Sequence, residues 1–241
     1  MLNRIRSLPV VRRFFPGSCK KGYALKGLGI EIGAHRLPVP GISPVYIDRF
    51  VEFAGEPCLV DVVSDAIHLP FPPGSLDYIV SSHLIEHLPN PLLALQEWHS
   101  LLKKGGVLYM VVPDARFTFD HMRERTSLEH LVEDYERGCN ECDPTHIDEF
   151  TEKVDISRMN AGLSHEEARR LRVNCNLHFH DMVASGMGIN IHFHVFEPYN
   201  FMAMMDYSRL GAGLSWESLE MKERFPPDRK DGFLAVFRKT R

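Results

Sequence analysis

A chain of 241 residues has room for one large domain, or for one domain with an insertion. Its 44% apolar and 25% charged content suits a globular protein, and no apolar run approaches the roughly 20 residues of a membrane span. The net charge of −4 conceals an asymmetry: residues 1–30 hold seven basic residues and no acid, leaving 21 basic against 32 acidic residues, a balance of −11. Such an arm could contact phosphates or an anionic surface, or pack on the acidic body, but seven charges mixed with apolar residues exclude a convincing nucleic-acid surface. Five cysteines, odd in number and sparsely spaced, argue against a disulfide framework. Together with an N-terminus that lacks the apolar segment of a secretory signal, they imply a reducing, cytoplasmic setting.

Residues 1–26 read as an appendage, with Leu2, Ile5 and Leu8 on a loose helical stripe broken by Pro9 and Pro16. The core begins near Gly27. The pattern predicts a first strand over Leu28–Ile32 and a second over Val45–Ile47, ending at Asp48. The link between them carries prolines at 38, 40 and 44, which forbid a normal helix. A third strand, Cys58–Val63, leads into Ser64-Asp65-Ala66-Ile67, and a fourth, Leu76–Ser81, leads into Ser82-His83. A helix over Pro91–Leu102 closes at Lys103-Lys104-Gly105-Gly106, and an apolar strand over Val107–Val112 ends at Pro113-Asp114. Apolar runs alternating with a helix imply a parallel sheet covered on both faces. Ligands bind outside the carboxyl ends of such strands, where Asp48, Asp65, His83 and Asp114 all fall.

Beyond Asp114 the pattern predicts a helix over Phe117–Gly138, with Thr126-x-x-Glu129 as a capping box and Gly138 as its stop. Ser164-x-x-Glu167 opens a second helix reaching towards Asp181. Ile189–Phe196 alternates apolar residues with His192 and His194, Pro198–Tyr207 reads as a helix, and Leu214–Met221 and Gly232–Arg238 read as strands. The chain thus divides into an appendage (1–26), a core (27–115), an inserted helical cap (116–197) and a closing helix with a strand pair (198–241).

An acid at the end of the second strand suits a ribose diol, because a carboxylate accepts from both hydroxyls, and Asp48 holds that place. The alternative is that Asp48 and Asp65 only terminate strands in exposed turns. The Gly-x-Gly-x-x-Gly fingerprint of dinucleotide binding is absent at Gly33. His83 and His87 stand where a base near neutral pH could act, or could merely line a pocket. Cys139-x-x-Cys142 with His146 has a spacing zinc accepts, and Cys175 or His178 could complete four ligands. One cysteine pair without a second paired set does not define a centre, so no metal ligands are assigned.

The ordered string Asp65-Ala66 with Leu69-Pro70-Phe71, then Ser75-Leu76-Asp77-Tyr78-Ile79, then His83-Leu84-Ile85-Glu86-His87, then the join from Leu101 to Val112, resembles the class I S-adenosylmethionine-dependent methyltransferases, in their type 11 branch. Glu31-Ile32-Gly33-Ala34 resembles the start of that family's first glycine motif, and the resemblance spans residues 27–115. It implies a Rossmann-like α/β fold with a mostly parallel sheet, the cofactor S-adenosylmethionine, and methyl transfer. Carried over residue by residue, it places Glu31, Gly33 and Ala34 at the methionine end and Asp48 at the ribose. Asp65 would meet the adenine amino group, with Ala66 and Ile67 beside the ring, and Ser82 completes the set. The chain departs from the pattern after Gly33, where Ala34-His35-Arg36 replaces the later glycine and a full helix is missing. Arg36 could meet the cofactor carboxylate in place of the lost backbone N–H groups.

The cap also resembles the tails of methyltransferases from bacterial surface-polysaccharide gene clusters, through Asp120-x-x-Arg123, the stretch from Thr126 to Tyr135, Asp143-x-x-His146 and His192-Phe193-His194-Val195-Phe196. That implies O-methylation of a glycan or other small polar acceptor, with His83, His146 and His194 as acceptor contacts or bases. Three rivals stand beside this reading: a methyltransferase for a quinone precursor or an amine, a non-catalytic module scaffolding a glycan-assembly enzyme, and a metal-dependent enzyme built on the cap histidines. A homodimer is a further expectation, and the basic arm could meet the second copy.

Overall fold

The computed structural model describes residues 23–241; residues 1–22, which carry all but one of the basic residues of the arm, lie outside the described residues. The chain forms two compact units. The first takes in the described residues up to Ser82 together with Glu97–Val111 and Leu214–Arg241, and the second comprises His83–Gln96 and Val112–Gly213.

The first unit holds a seven-stranded sheet built from β1 (Gly29–Ile32), β2 (Val45–Asp48), β5 (Val62–Val63), β6 (Leu76–Ser82), β7 (Leu102–Pro113), β8 (Trp216–Phe225) and β9 (Gly232–Lys239), in the order β5-β2-β1-β6-β7-β9-β8. The pairs β5-β2, β2-β1, β1-β6 and β6-β7 are parallel, and β8-β9 is antiparallel. This is the Rossmann-like, mostly parallel α/β architecture expected from the sequence. Tyr78, Val80, Val107, Tyr109, Val111, Leu234 and Val236 pack into one cluster, and the intervening Ile79, Leu108, Met110 and Ala235 are just as buried. Strands buried on both faces need continuous apolar runs, which is why β6 and β7 do not alternate with polar residues. Gly29 is required by this packing: a Cβ there would lie 2.3 Å from the Tyr78 ring.

Two expectations are corrected here. Only Val62–Val63 of the expected Cys58–Val63 strand joins the sheet, because Cys58 N donates to Val51 O and Leu59 N to His35 O. A short hairpin, β3 (Glu52–Phe53) with β4 (Glu56–Pro57), precedes it, turning through Ala54 and Gly55 at φ of +53° and +79°. Lys103–Gly106 belong to β7 rather than to a loop, with Gly105 at φ +84° and a register shift between Leu76 and Tyr78. The link from Gly33 to Pro44 forms turns and no helix.

In the second unit lie α2 (Leu128–Arg137), α3 (Ile147–Lys153), α4 (Ile156–Met159), α5 (His165–Ala184) and α6 (Pro198–Leu210), and α1 (Pro91–Leu101) begins here. Ile147, Phe150, Val154, Ile156, Ile189, Ile191 and Phe193 form its core cluster. The expected long helix from Phe117 is only α2, capped by Ser127, whose hydroxyl accepts from His130 N. Thr126 does not cap it, because its hydroxyl accepts from Val195 N at 2.8 Å. Gly138 does stop α2, with φ +66°. Residues 189–196 form no strand, although Ile189, Ile191, Phe193 and Val195 all point inward. Among the described residues no helix is long and apolar enough to cross a membrane.

Candidate functional site

Strand register sets the first group of candidate residues. Ile32 pairs with Ile47 and with Ser81, so Gly33, Asp48 and Ser82 stand level at the carboxyl end of the sheet. Gly33 N donates to Ile47 O at 2.8 Å, and Gly33 turns away at φ +70°. Glu31 is fully buried on β1: Oε1 accepts from Val39 N at 2.8 Å, while Oε2 has no hydrogen-bond partner. Burial pushes its carboxyl up to about 8, against the opposing pull of the Val39 N–H. Ala34 is buried beside it. Asp48 is 8% exposed, and its Oδ1 accepts from Phe50 N in a tight turn.

The turn after β5 is held from behind. Trp98 Nε1 donates to Ala66 O at 2.9 Å, and Glu97 Oε1 accepts from Leu69 N at 3.0 Å. That clamp fixes Asp65, Ala66 and Ile67 and leaves the Asp65 side chain 57% exposed, 3.2 Å from Arg49. Arg36 is paired instead with Glu56 at 2.8 Å, both half exposed. An acid with one unpartnered oxygen, a second acid at a strand end and a clamped third acid are suited to an ammonium, a diol and an amino group respectively.

The second unit assembles a polar network. His83 leaves β6 at φ +51°, with Nδ1 4.0 Å from Glu86 Oε1. Glu86 is buried, neither of its carboxylate oxygens has a hydrogen-bond partner, and burial pushes it up to about 7 while His192 opposes. His192 Nδ1 lies 2.6 Å from Asp120 Oδ2, and its Nε2 faces Glu86 Oε1 at 3.9 Å. Asp120 also accepts from Arg123, which forks onto Glu149. The His192 ring stands edge-on to His87, 4.5 Å between centroids, and burial holds His87 down at about 3. Asp114, the remaining acid at a strand end, is fully buried and engaged twice by Arg116.

His146 and His194 do not join His83. Their rings converge with His130 on Asp134, and both are buried. Burial, then His146, pushes His194 down to about 3. Cys175 and His178 lie on α5 and, with Cys142, belong to no close cluster of donor atoms among the described residues. Asp120, His192, His130 and Asp134 were not assigned from sequence. The available signals were the Asp120-x-x-Arg123 string, the His192 alternation, and the four-residue spacing of His130 and Asp134.

A family profile described as a methyltransferase domain matches residues 18–154. Among solved structures, a Rhodobacter sphaeroides protein provisionally assigned to the zinc-dependent alcohol dehydrogenases superposes with a TM-score of 0.52 at 16% identity, over 95% of this chain and 87% of its own. S-adenosylmethionine-dependent methyltransferases from Thermotoga maritima and Methanosarcina mazei give TM-scores of 0.44 and 0.45 at 19% and 15% identity. They cover 90% and 96% of this chain, and 83% and 97% of their own. No curated protein matches the chain.

Proposed function

Because the chain belongs to the methyltransferase-domain family, an S-adenosylmethionine-dependent class, we propose that its methyl acceptor is an oxygen of a polyhydroxylated, carbohydrate-type molecule. The cofactor supplies an electrophilic methyl group on a sulfonium. The residues fit it: Oε2 of Glu31 has no partner, and the carboxyl, neutral while the site is empty, would give up its proton to face the ammonium at the methionine end, beside Gly33 and Ala34. Asp48 would accept from the ribose hydroxyls. Asp65 would take the adenine amino group, with Ala66 and Ile67 against the ring and Ser82 at the same strand level. Arg36 would exchange Glu56 for the cofactor carboxylate.

The acceptor reading is carried by one observation, the Asp120–His192 pair. A carboxylate on Nδ1 fixes the imidazole tautomer and leaves Nε2 to take a proton. A hydroxyl must lose its proton as it attacks carbon, so a positioned base matters for oxygen and much less for a neutral amine. His83 and Glu86 add a second donor and acceptor for further hydroxyls.

The test is transfer of labelled methyl to parallel panels of sugars, phenols and amines. The reading expects an alkali-stable methyl ether on a sugar, and a variant His192→Gln that binds cofactor normally but turns over slowly. Methylation confined to amines would overturn it.

A further inference from the structure

Asp134 gathers three histidine side chains that the acceptor chemistry proposed above does not use. His130 and Asp134 sit four residues apart on α2 and so share one face of that helix. His146 caps the start of α3, and His194 comes from the extended segment before α6. His130 Nε2 and His146 Nε2 are 2.9 Å apart, and each lies 3.2 Å from Asp134 Oδ2. His194 Nε2 is 3.9 Å from the same oxygen. Asp134 and His194 are fully buried, and His146 is 4% exposed.

Hydrogen bonding accounts for part of this cluster only: His130 Nε2 and His146 Nε2 pair with one another, and His194 Nε2 donates to Pro89 O at 3.2 Å. Asp134 Oδ2 makes no hydrogen bond of acceptable geometry despite its two close imidazole nitrogens, and His194 Nδ1 has no partner either. A buried carboxylate oxygen left so among three imidazoles calls for a further partner. The spacing matches what a cation needs. Tetrahedral arms of about 2.0 Å put neighbouring donor atoms about 3.3 Å apart. The outer contacts also match: Asp134 Oδ1 accepts from Arg137 at 2.8 Å, and His146 Nδ1 lies 3.2 Å from Thr145 Oγ1. Such contacts orient ligating carboxylates and imidazoles.

We propose that His130, Asp134, His146 and His194 bind one zinc ion, which cross-links α2, the start of α3 and the segment before α6. Four protein ligands make a closed, structural site. His130, 42% exposed, lies on the entry side. Cys139 forms a neighbouring group with Asp143 and the shared His146.

The test uses the full chain and the metal alone, with no methyl-transfer readout. Purified protein is expected to hold one zinc per chain by elemental analysis, and chelation is expected to lower its melting temperature until zinc is restored. Cobalt substitution is expected to give tetrahedral d–d bands without thiolate charge transfer. His130→Ala, the outermost change, is expected to stay folded and to bind zinc at least tenfold more weakly, while Cys139→Ser binds as the parent does. Failure of the chelated protein to take up zinc or cobalt would overturn the proposal. So would thiolate charge transfer lost in Cys139→Ser, or unchanged affinity in His130→Ala and Asp134→Asn.

Discussion

His192 Nδ1 and Asp120 Oδ2 lie 2.6 Å apart although 72 residues separate them, and Arg123 holds the other oxygen of Asp120 at 2.8 Å. A positioned base contributes about 10²–10⁴ in rate. His192→Gln is therefore expected to lower kcat at least about 100-fold, with S-adenosylhomocysteine affinity unchanged within a factor of two. Asp120→Asn is expected to lower kcat less, because the ring remains but its tautomer is no longer fixed. Steady-state rates with calorimetric affinities separate the two.

Glu31 sets a pH dependence. Its carboxyl is raised from 4.5 to about 8, so between those values the folded chain holds a proton that the unfolded chain has released. Stability from this group is complete below pH 4.5 and is lost as pH rises through 8. The loss is on the order of 4 kcal/mol. Urea unfolding at pH 5 and pH 8.5 is expected to show this decline in the parent and a much flatter profile in Glu31→Gln.

Trp98 holds the turn proposed to meet the cofactor, through the backbone. Trp98→Phe keeps the buried ring but removes the bond to Ala66 O. The expected cost is about 1 kcal/mol of stability. A several-fold weaker affinity for S-adenosylhomocysteine is also expected, because the Asp65 turn loses its clamp. Unchanged affinity would detach that turn from the cofactor.

Gly29→Ala forces a methyl group into the Tyr78 ring. Overpacking of this kind costs about 1–3 kcal/mol, and the denaturation midpoint should fall accordingly. By contrast, Gly105→Ala meets no neighbouring atom, and its effect comes from φ +84° alone.

Local signals were legible in the sequence. The prolines between β1 and β2, the Ser164–Glu167 capping box and Gly138 each act within a few residues, and each appears in the structure. The parallel strands were readable because burial on both faces leaves continuous apolar runs. Long-range bonds were not readable. Thr126-x-x-Glu129 has the spacing of a cap, but Val195, 69 residues away, takes the Thr126 hydroxyl. Residues 118–126 are not helical, and within them Asp120 and Arg123 turn inward to His192 and Glu149. The strand expected from Cys58 failed for the same reason, its first amides being claimed by Val51 and His35. The candidate base and the Asp134 cluster draw on segments up to 72 residues apart, a proximity no local pattern encodes.

The most direct test of the account is calorimetric titration of S-adenosylmethionine and S-adenosylhomocysteine into the parent protein and into Asp48→Ala and Asp65→Ala. The account expects micromolar binding to the parent and at least tenfold weaker binding to both variants, each still folded. A folded parent that binds neither compound, or variants that bind as tightly as the parent, would contradict it.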